Sequence, residues 1–151
     1  MSAPIIWIIV PFLAAVFFWF IQQKQRLVFY SAAGLSFLLG LVALFQKIDS
    51  ALRIGSLAIN IQSTMTILGR SLVLDNADRI YLAFVYISLF FWYLGAQAFH
   101  TSSKFFPLGM AVVALLTAGL AVEPFLYSAI LVELALLTAG LAVEPFLYSA
   151  I

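Results

Sequence analysis

Long apolar runs without a charged residue dominate this chain. Four of them contain no charge and are each about as long as a membrane-spanning helix: residues 3–21, 27–45, 80–99 and 105–122. A fifth run, 125–143, is interrupted only by Glu133. Because a helix needs about 20 apolar residues to cross the hydrocarbon core, the pattern predicts an all-α membrane protein of about five transmembrane helices. We expect residues 1–151 to form a single membrane domain.

The sizeable polar region lies between the second and third runs, at residues 46–79. Within it, Leu57, Ile59 and Ile61 alternate with Ala58, Asn60 and Gln62, and a period of two is typical of a strand. A second stretch, residues 65–74, is interrupted at Gly69-Arg70, which is suited to a turn or a bulge. We therefore expect a small external β-hairpin here. The alternative is an amphipathic helix at the membrane interface over residues 48–61.

Two acids lead into the third run. Asp75 and Asp78 have the spacing of a capping box with acids in both roles. They also complement the positive end of a helix dipole. Helix initiation is therefore a sufficient explanation for both.

Aromatic residues toward the ends of the runs are expected to anchor the helices at the membrane interface. They are Trp7, Trp19, Tyr30, Tyr81 and Trp92.

The basic residues predict an orientation. The turn at residues 22–26 holds Lys24 and Arg26 and no acid, and short basic loops favour the cytoplasm. Alternation then places the amino terminus and residues 46–79 outside, and the turn with His100 and Lys104 inside. A raw count disagrees, because the long outer segment itself holds four basic residues. Its three aspartates dilute that charge.

Composition excludes several classes of function. Apolar residues make up 66% of the chain and charged residues 9%, against roughly 25% charged in a soluble domain. A net charge of +1 argues against a nucleic-acid partner, which requires clustered Lys and Arg. With no cysteine and one histidine, we expect no cofactor and no metal site. No phosphate-binding glycine loop or Ser/His/Asp arrangement is present, so the chain should have no catalytic site of its own.

The end of the sequence contains a perfect repeat. Residues 114–130 read ALLTAGLAVEPFLYSAI, and residues 135–151 repeat the same 17 letters at an offset of 21. Solenoid arrays have drifted similarity over three or more units. Two perfect copies indicate a very recent duplication or an error in assembling the sequence, so the residues beyond Ala135 carry little weight for function.

Glu133 is the leading candidate for a functional residue because it falls near the centre of the fifth run. An acid at the centre of a membrane helix costs roughly 2.5–3.5 kcal/mol, and such residues usually face a protein interior or a water cavity. Removal from water disfavours the charged carboxylate, so this group would exchange a proton as a neighbouring cation approaches or leaves. A structural glutamate that hydrogen-bonds a neighbouring helix is the alternative, and this residue by itself does not decide between them.

Three further residues are weaker candidates. Glu123 precedes Pro124, so placement at a helix start explains it, and its copy Glu144 lies in the repeat. His100 and Lys104 lie four residues apart at the inner end of the third run, where proton entry is conceivable. A solvated, snorkelling helix end explains this pair better.

The order of these features resembles a known family. LVLDNADRIYLAF enters the third run, and FFPLGMAVVALLTAGLAVEPFLYSAILVELA follows, with Glu133 ten residues after Glu123. This resembles the amino-terminal part of the proton-antiporter-like membrane subunits shared by respiratory complex I, membrane hydrogenases and Mrp-type cation/proton antiporters. By that resemblance, Glu133 matches a fifth-helix glutamate that pairs with a lysine on a later helix. The resemblance covers about residues 1–135, Val132 stands where the family usually has an aromatic residue, and the lysine-bearing helices are not part of this sequence.

The resemblance implies the amino-terminal portion of a proton-translocating subunit in a membrane redox complex, such as an NADH:quinone oxidoreductase, or in a cation/proton antiporter. Glu133 would act as its proton relay. The implied partners are the lipid bilayer, other membrane subunits, and protons with or without Na⁺. The implied location is a bacterial inner membrane, with the amino terminus outside. The alternative is a structural or accessory subunit that has no ion path of its own.

Overall fold

The computed structural model describes residues 2–48, 51–54, 57–60, 62–67, 70–99, 101–122 and 125–149. This part of the chain is mostly helical, as predicted, and contains five helices. They are α1 (Ile5–Ile21, π-helical over Ile5–Ile9), α2 (Gln25–Phe45), α3 (Arg79–Ala98), α4 (Phe105–Ala121) and α5 (Phe125–Ser149).

The ends of α1 to α4 lie within two residues of the apolar runs, because charged or polar turns bound each run. Helix α5 differs, since it continues to Ser149 where the apolar run ends at residue 143. Pro145 removes one hydrogen bond of a helix, and α5 continues past it. Apolar residues continue on both sides of it.

Helices α2 and α3 pack closely through small side chains. Ala32, Ser36 and Gly40 are buried at four-residue intervals on one face of α2. A Cβ atom added at Gly40 would lie 2.8 Å from Cγ1 of Ile87 and 3.3 Å from its backbone nitrogen. Small residues allow the backbones of two membrane helices to approach in this way.

Helix α4 is the centre of the bundle, since it contacts α1, α2, α3 and α5. Its buried residues include Phe106, Met110, Ala114 and Thr117. Helix α5 packs against α4.

The polar segment forms two antiparallel hairpins among the described residues. Strands β1 (Ala51–Ile54) and β2 (Leu57–Asn60) pair with Leu52 opposite Ile59. Strands β3 (Thr64–Ile67) and β4 (Arg70–Val73) pair with Thr66 opposite Ser71. Antiparallel strands are present as predicted, but they form two hairpins where the sequence predicts one. The described part of residues 48–61 is not an amphipathic helix. Alternating aliphatic and polar residues suit a pleated strand, which explains the outcome.

Both hairpins lie at the end of the bundle where α2 ends and α3 begins. The Asn76 side chain accepts a hydrogen bond from Ile48 N (2.9 Å) and donates one to Ile48 O (3.0 Å). Leu72 of β4 forms a bridge with Val122, just after α4. The Asp75 backbone N–H donates to Asp78 Oδ2 at 2.9 Å. The predicted capping box is wrong, because Asp78 is itself the N-cap of α3 and makes no side-chain capping hydrogen bond, so this bond lies in the turn before the helix.

Two of the helices, α2 and α3, are long and apolar enough to span a membrane. Shorter apolar helices occupy Ile5–Ile21, Phe105–Ala121 and Tyr127–Ala142 in the described part of the chain.

Candidate functional site

Glu133 is the ninth residue of α5, in the first half of the helix, and its side chain is exposed. The opposite face of α5 packs against α4. Ala135 and Ala142 on that face are buried, and Gly119 of α4 approaches Ser128 and Val132. Since a helix turns about 100° per residue, Ala142, nine residues after Glu133, lies on the opposite face of α5. The carboxylate therefore points away from the bundle.

The surroundings of Glu133 on this outer face are apolar. Ile130 is 54% exposed and Leu137 is 69% exposed, and both lie within one turn of Glu133. Gly140 follows seven residues later, and a Cβ atom added there would contact nothing within 4 Å. A single acid thus stands in an exposed stripe of aliphatic side chains.

No described residue forms a hydrogen bond or an ion pair with Glu133. A carboxylate can accept a proton, pair with a cation or accept hydrogen bonds at both oxygens. The Glu133 carboxylate is accessible for any of these interactions from the outside of the bundle.

The structure does not bring Lys104 to Glu133. Gly119 is level with Ser128 and Val132, which places Glu133 level with about Leu116 of α4. Lys104 precedes α4 and is thus about 18 Å away along the helix axis, at 1.5 Å per residue. His100 and Glu123, the other two sequence candidates, lie outside the described residues.

The structure contains buried hydrogen bonds inside the bundle that the apolar pattern of the sequence does not predict. Tyr86 Oη donates to Trp7 O, and Trp7 Nε1 donates to Leu39 O at 3.3 Å. Tyr93 Oη donates to Phe106 O at 2.7 Å. These bonds join α1 to α3, α1 to α2, and α3 to α4. The seven-residue spacing of Tyr86 and Tyr93 puts both on one face of α3 and is the signal that identifies them.

The prediction that Trp7 is an interfacial anchor is wrong, because Trp7 is fully buried. Its indole N–H donates to the Leu39 carbonyl of α2, so the residue joins α1 to α2. The other predicted anchors, Trp19, Tyr30, Tyr81 and Trp92, are exposed.

An apolar groove of about 310 Å³ lies between α3, α4 and α5. Phe84, Trp92, Gly109 and Ala139 are among its lining residues. Among the described residues, no three His, Cys, Asp or Glu side chains are grouped to hold a metal ion.

Comparison of the chain with models of protein families, with curated proteins and with solved structures returned no match. Glu133 and the apolar surface around it are the features of the described structure that bear most directly on function.

Proposed function

We propose that this chain is a multi-pass membrane protein that forms the amino-terminal part of a proton-antiporter-like subunit, with Glu133 as a proton-relay group. The observation that carries the proposal is the exposed carboxylate of Glu133 on an otherwise apolar face of α5. In a bilayer that face meets either lipid or another helix.

The membrane location is supported by the amount of exposed apolar surface. Large apolar side chains are exposed on all five helices, among them Phe20, Phe45, Phe84, Leu120 and Leu137. Soluble monomers rarely expose contiguous apolar surface on this scale. Helices α1 and α4 are 17 residues long, which is at the lower end of the length that crosses the hydrocarbon core.

The relay role is supported by the cost of leaving Glu133 in lipid. A charged group at the bilayer centre is stabilised only by a partner or by water, and the described part of this chain supplies no partner. A helix from another part of the assembly that carries a cationic side chain would satisfy the carboxylate. Glu133 and that cation together would form the relay pair that the proposal requires. By the family resemblance, the cation is a lysine.

The orientation belongs to the same proposal. The turns that hold Lys24, Arg26 and Lys104 face the cytoplasm, and both hairpins lie on the outer side with the amino terminus. A bacterial inner membrane is the location that the resemblance implies.

The proposal is tested by purifying the assembly through the tagged chain, reconstituting it in vesicles and measuring proton translocation. We expect Glu133→Gln to lower the rate by about 100-fold, because the amide cannot exchange a proton and loss of a proton-transfer group costs about this much. Thr138→Val is the matched control on the same helix and should translocate normally.

If Glu133→Gln translocates protons at the wild-type rate and instead impairs assembly, the relay role is wrong. That result would support a structural subunit in which Glu133 only bonds a neighbouring helix.

A further inference from the structure

Three cations lie at the end of the bundle opposite the hairpins. Lys24 and Arg26 flank Gln25 at the start of α2, and all three cations, with Lys104 before α4, are exposed. Gln25 Nε2 donates to Thr101 O at 2.9 Å. Because Thr101 is three residues from Lys104, this bond holds the two basic turns against each other. We call the surface of Lys24, Arg26 and Lys104 the basic junction.

Two helix starts add to the positive potential of the basic junction. Helices α2 and α4 both begin here, and neither Lys24 nor Lys104 caps its helix with a side-chain hydrogen bond. The first backbone N–H groups of a helix carry partial positive charge and are suited to binding an anion.

Negative charge lies elsewhere among the described side chains. Asp75 and Asp78 are at the opposite end, before α3, and Glu133 is within α5. The backbone of Glu144 lies in the last turns of α5, at the same end of the bundle as the basic junction. The basic junction thus has no described acidic side chain to neutralise it.

Buried polar atoms at this end of the bundle lack partners. Thr101 is 4% exposed, and its hydroxyl makes no hydrogen bond with any described residue. The side-chain amides of Gln22 and Gln97, at the ends of α1 and α3, each have a buried Oε1 that is likewise unpaired within the described part. Of these three atoms, the Thr101 hydroxyl can donate a hydrogen bond to an anion, whereas an amide Oε1 only accepts. The unpaired Thr101 hydroxyl is a second feature, independent of the helix starts, that favours a polar ligand here.

Exposed aromatic residues next to the basic junction indicate the source of the anion. Trp19, Phe20, Tyr30 and Phe99 are all exposed, within two turns of the basic turns, and aromatic side chains of this kind lie at the level of lipid headgroups. We propose that the basic junction binds the phosphate headgroup of an anionic phospholipid, whose acyl chains lie along the apolar helices. This site goes beyond the proposed function and rests only on its membrane location.

The test is titration of the purified full chain, in neutral detergent, with short-chain phosphatidylglycerol and phosphatidylcholine, followed by native mass spectrometry. We expect phosphatidylglycerol to bind at least about tenfold more tightly than phosphatidylcholine. The triple variant Lys24→Gln, Arg26→Gln, Lys104→Gln should lose at least about tenfold in affinity, because each cation near an anionic lipid contributes measurably. Added salt should weaken binding to the wild-type chain.

The matched control removes three cations from the hairpin side: Lys47→Gln, Arg53→Gln and Arg79→Gln. This control should keep the wild-type affinity, and the charge-preserving variant Lys24→Arg, Arg26→Lys, Lys104→Arg should keep it as well. If the triple glutamine variant does not fold, the single variants Lys24→Gln and Lys104→Gln should each show part of the loss.

Equal affinity for the two lipids, an equal loss in the hairpin-side control, or no loss in either single variant would overturn the proposal. A last competition experiment adds inorganic phosphate to the complex with phosphatidylglycerol. Displacement of phosphatidylglycerol by phosphate at equal concentration would identify a free-anion site and overturn the lipid assignment.

Discussion

Tyr93 shows how single polar groups fasten this apolar bundle. Its ring is fully buried, and its hydroxyl donates to Phe106 O on the neighbouring helix. In a membrane protein, an interhelical hydrogen bond of this kind contributes about 0.6 kcal/mol on average and up to about 1.7 kcal/mol. The bond ties α3 to α4 next to the turn that carries the basic junction.

We therefore expect Tyr93→Phe to lower the free energy of unfolding by about 0.6–1.7 kcal/mol, measured by titrating the purified chain with a denaturing detergent. Tyr81→Phe on the same helix is the control, because Tyr81 is exposed. The interpretation fails if the two variants lose the same stability.

For Glu133, the sequence predicts the helix that holds the acid, and the structure shows the side of the helix that the acid faces. The long apolar run is sufficient to place this acid within a helix. It does not specify which side the acid faces, because a helix that is apolar all round carries no directional signal. The contact between Gly119 and the Ser128–Val132 part of α5 decides the direction, and such a contact depends on the tertiary structure.

Among the helices, the α2–α3 pair is the most sensitive to side-chain size. An alanine Cβ at position 40 would press against the Cγ1 and the backbone nitrogen of Ile87. We expect Gly40→Ala to destabilise the chain by about 1–3 kcal/mol, the usual cost of overpacking, in the same unfolding titration.

Gly34→Ala is the matched control in the same helix, since a Cβ atom there meets nothing within 4 Å. It should be neutral or stabilising by up to about 1 kcal/mol, because alanine favours the helix over glycine. Similar destabilisation by both substitutions would contradict a specific role for the α2–α3 contact at Gly40.

The repeat illustrates why element boundaries could be predicted only in part. In the first copy, Val122 is extended and bridges to Leu72, and α4 ends. In the second copy, the same letters continue as helix to Ser149. Likewise, Leu116 and Thr117 lie in the central helix of the bundle, whereas their copies Leu137 and Thr138 lie on the outer helix α5. The two identical copies adopt different structures because they pack against different parts of the chain.

For the molecule as a whole, the number and order of the helices could be predicted from apolar runs and the turns between them. Their arrangement could not, because similar apolar surfaces leave the choice of neighbours to small residues and buried hydrogen bonds. The central position of α4 and the burial of Trp7 are results of this kind.

Both proposals, for Glu133 and for the basic junction, require that the five helices cross a membrane in alternation. The wild-type chain contains no cysteine, so single cysteines report their own location without background. Gln23, Ser102, Gln62 and Ala77 are all exposed and lie in turns or next to hairpins, which makes them suitable positions.

The most direct test of this central claim is labelling of the single variants Gln23→Cys, Ser102→Cys, Gln62→Cys and Ala77→Cys with a membrane-impermeant maleimide in right-side-out and inverted vesicles. We predict that positions 23 and 102 react only from the cytoplasmic side and positions 62 and 77 only from the outside. Leu38→Cys, in the middle of α2, should react from neither side. Labelling of positions 23 and 62 from the same side, or labelling of position 38, would contradict the account.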